Sequence, residues 1–225
     1  MLTKHTAFMT ESLVAASVAG GDSLTYPVTV QKIVAQTRES SVRKVWDYYK
    51  GWRPYASGYI GGVVAARGAV GALEDAGLST RVSNIVGSAA VAWFITAPTE
   101  YAAIQAQRGN KGPGWIQQLF RKVPGRGLTI ARELAYYTVW QRVESDQDSG
   151  GKGFVKSLAL GFGVGVLTNP IDAAKSITQA GDRVVFPEFG KRAMQGALWR
   201  GATCVPPMAI LYFVSKFTKA PDEKP

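Results

Sequence analysis

Three segments of the chain repeat one pattern, and that repeat restricts the possible folds more than any other feature. L-T-Y-P-V-T-V-Q-K-I-V-A-Q ends at Gln36, I-T-A-P-T-E-Y-A-A-I-Q-A-Q at Gln107, and L-T-N-P-I-D-A-A-K-S-I-T-Q at Gln179. Each has a Thr (Thr25, Thr96, Thr168) two residues before a Pro (Pro27, Pro98, Pro170), and a Gln nine residues after it. The prolines are 71 and 72 residues apart. An aromatic, a base and usually Gly then follow: Tyr49-Lys50-Gly51, Phe120-Arg121-Lys122 and Trp199-Arg200-Gly201, at 22, 22 and 29 residues after the Pro. Three copies at near-equal spacing predict a tandem of one supersecondary unit, here two helices. The expected organisation is a single domain over 1–225, with repeats at approximately 6–76, 77–149 and 150–220.

The charges indicate what surrounds these helices. From Ser12 to Gln31 the only charge is Asp22; Ile60–Leu73 carries only Arg67, and Val82–Ala97 none. Leu128–Gln141 holds the adjacent Arg132 and Glu133, Gly153–Ile171 only Lys156, and Gly201–Ser215 none. These six stretches are rich in Gly, Ala, Ser, Val and Thr, the residues that let membrane helices approach closely. Phe8–Thr37, Thr80–Gln107 and Gly153–Gln179 each have close to 28 residues. At 1.5 Å per residue that is roughly 40 Å, enough to cross a bilayer core with tilt. The glycines ahead of the prolines (Gly20, Gly21, Gly87, Gly161, Gly163, Gly165) are expected where helices cross.

Composition excludes several functions. With one Cys (Cys204) and one His (His5), the chain has no internal disulfide and no zinc site built on soft ligands. A catalytic Ser-His or Cys-His pair would need His5, next to the N-terminus. No paired carboxylates or phosphate-binding loop suggest an enzyme. Lys+Arg number 26 against 16 Asp+Glu, a formal charge of +10. The excess lies in three long connections, around Arg38–Arg53, Arg108–Arg126 and Arg183–Arg200, while the opposite connections carry Glu74, Asp75, Glu144, Asp146 and Asp148. Bases spread over membrane-flanking loops fit the positive-inside rule and an anionic lipid surface, not a nucleic acid.

At these residues the sequence resembles the mitochondrial carrier family, whose signature P-x-[DE]-x-x-[KR]-x-[KR]-x-Q recurs three times and is each time followed by aromatic-[KR]-Gly. Pro170, Asp172, Lys175 and Gln179 follow that pattern closely. The resemblance implies an all-α membrane protein: six transmembrane helices in three tandem two-helix repeats about a pseudo-threefold axis. Short matrix-side amphipathic helices would lie near Ser41–Tyr49, Trp115–Arg121 and Pro187–Leu198. It implies kinks at Pro27, Pro98 and Pro170, and a matrix ring of ion pairs in which each acid meets the base of the next repeat. Glu100 would then pair with Lys175, and Asp172 with Lys32. The third acid and base positions hold Thr29 and Ala103, so the two missing charges are each other's partners, and losing both is far cheaper than losing one. Gln36, Gln107 and Gln179 would brace the pairs from below. Lys50-Gly51 and Arg200-Gly201 would hold cardiolipin phosphate at helix starts. Arg132-Glu133 would be the substrate-binding pair, since an intramembrane ion pair is a functional candidate.

Two expected parts are missing. The family closes its cytosolic side with [FY]-[DE]-x-x-[KR], and Leu73-Glu74-Asp75, Trp140-Gln141-Arg142 and Tyr212-Phe213-Val214-Ser215-Lys216 do not fit it. The sixth helix offers no charge for a solute. The resemblance and these gaps together imply a mitochondrial inner-membrane protein that is a structural or accessory subunit of a larger respiratory or ATP-synthase complex, with transport reduced or lost. The alternative is an active solute carrier for a small amino-acid-like or anionic metabolite.

Overall fold

The computed structural model of the chain describes residues 17, 20–21, 25–37, 48–110, 115–118, 122–145, 150–184 and 188–218. Among these residues the structure is helical and contains no strand. Six longer helices follow in order: α1 (Tyr26–Thr37), α2 (Trp52–Asp75), α3 (Thr80–Gln107), α4 (Arg126–Ser145), α5 (Gly150–Gln179) and α6 (Ala197–Thr218). Short helices at Trp115–Gln118 and Glu188–Met194 stand where the second and third amphipathic helices were expected. Of the expected first one, only Tyr48 and Tyr49 are among the described residues. Helix α6 packs on both α5 and α1, so the last helix closes against the first.

Thr80–Gln107, Gly150–Gln179 and Glu188–Val214 are long and apolar enough to cross a membrane. The distribution of polarity agrees with a lipid surrounding. Val82, Ile85, Val86 and Phe94 on α3, and Val155 and Leu167 on α5, are exposed, Leu167 by 80%. Lys32, Gln36, Arg132, Asn169, Asp172 and Lys175 are buried. A water-soluble domain normally reverses this arrangement, because contiguous exposed apolar surface is costly in water.

The three repeat prolines occupy different local settings. Pro170 lies inside α5. Pro98 lies two residues after the end of a π-helical turn, Ala92–Thr96, which spaces the backbone near where the missing N–H would break the ladder. Pro27 corrects the expectation of a third interior kink: it is the second residue of α1, where no helical N–H is required. Pro206 and Pro207 lie inside α6, which the repeat pattern did not predict.

Close crossings account for some of the glycines. A Cβ on Gly161 would stand 2.8 Å from the Cys204 carbonyl, and one on Gly165 would stand 2.6 Å from that of Arg200. These two positions, one turn apart, seat α5 on α6. Gly21 meets Ile210, and Gly87 meets Val70. Gly20 and Gly163 differ from expectation, with nothing within 4 Å of an added Cβ. For Gly163 the reason is helical phase, since it lies two residues from each contact glycine and so faces away.

The centre of the bundle, toward the acidic connections, is filled. Val63 of α2, Tyr136, Trp140 and Val143 of α4, Val164 of α5, and Cys204, Met208, Leu211 and Tyr212 of α6 form one buried cluster. Arg67 lies over the Trp140 ring at 5.7 Å, so the one charge of α2's apolar stretch is spent on an aromatic face.

Candidate functional site

Beyond this apolar plug, four helices bring six charged side chains together. Lys32 Nζ of α1 lies 2.6 Å from Asp172 Oδ2 of α5, and Lys175 Nζ of α5 lies 2.8 Å from Glu100 Oε2 of α3. These are the two pairs assigned by the three-fold register. Lys175 also reaches Asp172 Oδ1 at 3.0 Å, within its own helix. All four residues are buried.

Arg132 changes the character of this ring. The resemblance assigned it, with Glu133, to substrate at the midplane, but its guanidinium is turned into the ring. It donates to Glu100 Oε1 at 2.7 Å and to Asp172 Oδ1 at 2.9 Å. It also donates to Glu133, with which it forms an ion pair. Arg132 is 2% exposed. The expected ring of two separate pairs plus one neutral contact is thus one cluster of three cations and three carboxylates. A guanidinium, with five donors in a planar fork, has enough donors to serve three carboxylates at once. Balance matters because a buried ion without a partner costs several kcal/mol, whereas a compensated set is near neutral.

The glutamines depart from their assigned role. Gln36 Nε2 donates to Asn169 Oδ1 at 3.0 Å, and Gln107 Nε2 to the Tyr26 hydroxyl at 2.7 Å. Among the described residues neither meets an ion pair. Tyr26 and Asn169 each directly precede a repeat proline, so each glutamine holds the pre-proline residue of a neighbouring odd-numbered helix. The corresponding acceptor for Gln179 would be Ala97, which has no polar side chain. Both side-chain polar atoms of Gln179 are buried without a hydrogen-bond partner. Its backbone carbonyl accepts from Gln105 at 2.8 Å. Tyr26 in turn donates to the Lys50 carbonyl at 2.8 Å, and Asn169 donates to that of Ala193.

The glycine landmark also needs correction. Gly51, with φ 81°, caps the start of α2. The residues in the same place before α4 and α6 are Gly125 (φ 73°) and Gly196 (φ 107°), not Lys122 and Gly201. An added Cβ on Gly51 would meet the Ala103 carbonyl at 2.5 Å. On Gly125 it would lie 3.5 Å from Lys175 Cγ, and on Gly196 3.4 Å from Lys32 Cγ. Each glycine therefore faces the base position of the next repeat. The Arg200 N–H already donates to the Gly196 carbonyl at 2.7 Å, and Gly201 is buried under Phe162, so neither backbone N–H is placed to hold a lipid phosphate. Lys50 is exposed beside the αL Gly51. Phe120 and Arg121 lie outside the described residues.

Sequence reading missed the pre-proline residues, Gly125 and Gly196. The signal was present: each glycine lies 24 to 27 residues after its proline. The aromatic-base-Gly motif concealed it, because Trp199-Arg200-Gly201 is the more conspicuous match. No protein-family model matches the chain, and a search of curated proteins returns no match.

Proposed function

We propose that this chain is a carrier-fold protein of the mitochondrial inner membrane, crossing it six times in three two-helix repeats. Its role is that of a structural or accessory subunit of a larger inner-membrane complex, respiratory or ATP-synthase, with transport reduced or lost. The observation that carries this reading is Arg132. The one intramembrane cation that could greet a solute from the fourth helix is held by three carboxylates in the ring. A solute would have to displace them all. The buried apolar cluster that includes Tyr136, Trp140, Met208 and Leu211 supports the same reading, because it offers a charged solute no charged partner.

Three cyclic contacts support the repeats. Acid positions meet the base of the next repeat, glutamines meet the pre-proline residue of a neighbouring one, and αL glycines meet the next base position. Exposed Lys50, Arg53, Lys122, Arg183 and Lys191 would face the matrix and its anionic lipid, cardiolipin in particular. We assign the chain no catalytic step. The second reading, an active carrier for a small amino-acid-like or anionic metabolite, is favoured by the surviving pairs Glu100–Lys175 and Asp172–Lys32, which join different helices as a gate would.

Membranes solubilised in mild detergent and resolved on a native gel test the subunit role. The protein is expected to migrate entirely with a large complex. A free pool at the mass of the chain alone would count against it.

A further inference from the structure

The break in the three-fold pattern of charges leaves a space. Thr29 and Ala103, which replace the third acid and base, line a cleft together with Lys32, Lys175, Arg200 and Ser176. Its cavity volume is about 20 Å³, room for one small ion, beside an open mouth. Three cations and a single carboxylate, Glu100, form the charged part of its wall. That carboxylate is already engaged by Arg132 and Lys175, and Asp172 pairs with both Lys32 and Lys175; an ammonium has three donors, so each lysine still has one to offer a further acceptor. Ser176 is fully buried, and its hydroxyl has no hydrogen-bond partner. Ammonium and guanidinium groups offer donors only, and a serine hydroxyl can donate as well. Such a wall suits an acceptor with negative charge.

We propose that this cleft binds one small monovalent anion, chloride or a short carboxylate, between Lys32, Lys175, Arg200 and Ser176. Lys32, Lys175 and Arg200 supply the field, and Ser176 donates the directional hydrogen bond. The site lies at the level of the ion ring. It requires no transport activity and does not rest on the subunit reading.

Thermal unfolding of the purified full-length protein in detergent, at constant ionic strength, tests the site with sodium chloride, acetate and gluconate. Chloride or acetate should raise the midpoint by about 3 °C over gluconate, the effect of an anion well above its Kd. An effect from either small anion supports the site. Ser176→Ala should raise the chloride concentration for half the effect by about tenfold, through loss of a hydrogen bond to an ion. Thr29→Asp should abolish the dependence by supplying an internal carboxylate. Equal midpoints in all three salts would overturn the proposal, as would an unchanged chloride dependence in Ser176→Ala. If Thr29→Asp does not fold, the Ser176→Ala titration decides alone.

Discussion

Asp172 is fully buried and touches Lys32, Arg132 and Lys175, whereas Thr29 carries no charge. Asp172→Ala leaves three cations facing two carboxylates and should cost about 3–5 kcal/mol, the price of a broken buried pair. Thr29→Ala should cost under about 1 kcal/mol. Thermal unfolding of both variants in detergent checks this, and equal losses would refute the assigned pairing. A second comparison concerns the glutamines. Gln107→Leu breaks a bond to Tyr26 and should lose about 1–2 kcal/mol, while Gln179→Leu removes an amide with no partner and should be neutral or stabilising. The pairings of Glu100 and Asp172 were expected from the resemblance, which supplies the rule that each acid meets the base of the next repeat. The turn of Arg132 into the ring was not. Its direction depends on how α4 packs against α3 and α5, which no spacing encodes.

At the scale of elements, length and boundaries were the most legible features. The long apolar-rich stretch at Thr80–Gln107 is α3 residue for residue, and that at Gly153–Gln179 begins three residues inside α5. Apolar continuity sets those limits, and the positive-φ glycines at 109 and 181 follow the last turns. Which glycines touch was less legible, because composition marks a whole stretch and helical phase selects within it. Gly165→Ala would drive a Cβ into the Arg200 carbonyl and should destabilise by about 1–3 kcal/mol. Gly163→Ala, with open space around it, should be neutral or stabilise by about 0.5–1 kcal/mol through helix propensity. The same unfolding assay separates them, and a loss in Gly163→Ala equal to that in Gly165→Ala would contradict the α5–α6 seating.

For the whole molecule, the formal charge of +10 divides into two parts with different roles. The six-membered cluster is neutral and internal, so it contributes nothing to the excess. The excess is carried elsewhere, with Lys50, Lys122, Arg183 and Lys191 exposed on connections from odd- to even-numbered helices and Arg53 exposed at the start of α2. The exterior of α3 and α5 is apolar where a soluble protein would be charged. The proposed subunit role rests on the engaged ion cluster and the buried apolar cluster beside it. Alternating access would require both to open. The most direct test is solute exchange by the purified protein in cardiolipin-containing liposomes, loaded with amino acids and with anionic metabolites. The account predicts no saturable exchange above protein-free liposomes. Saturable exchange of any of these solutes would contradict it.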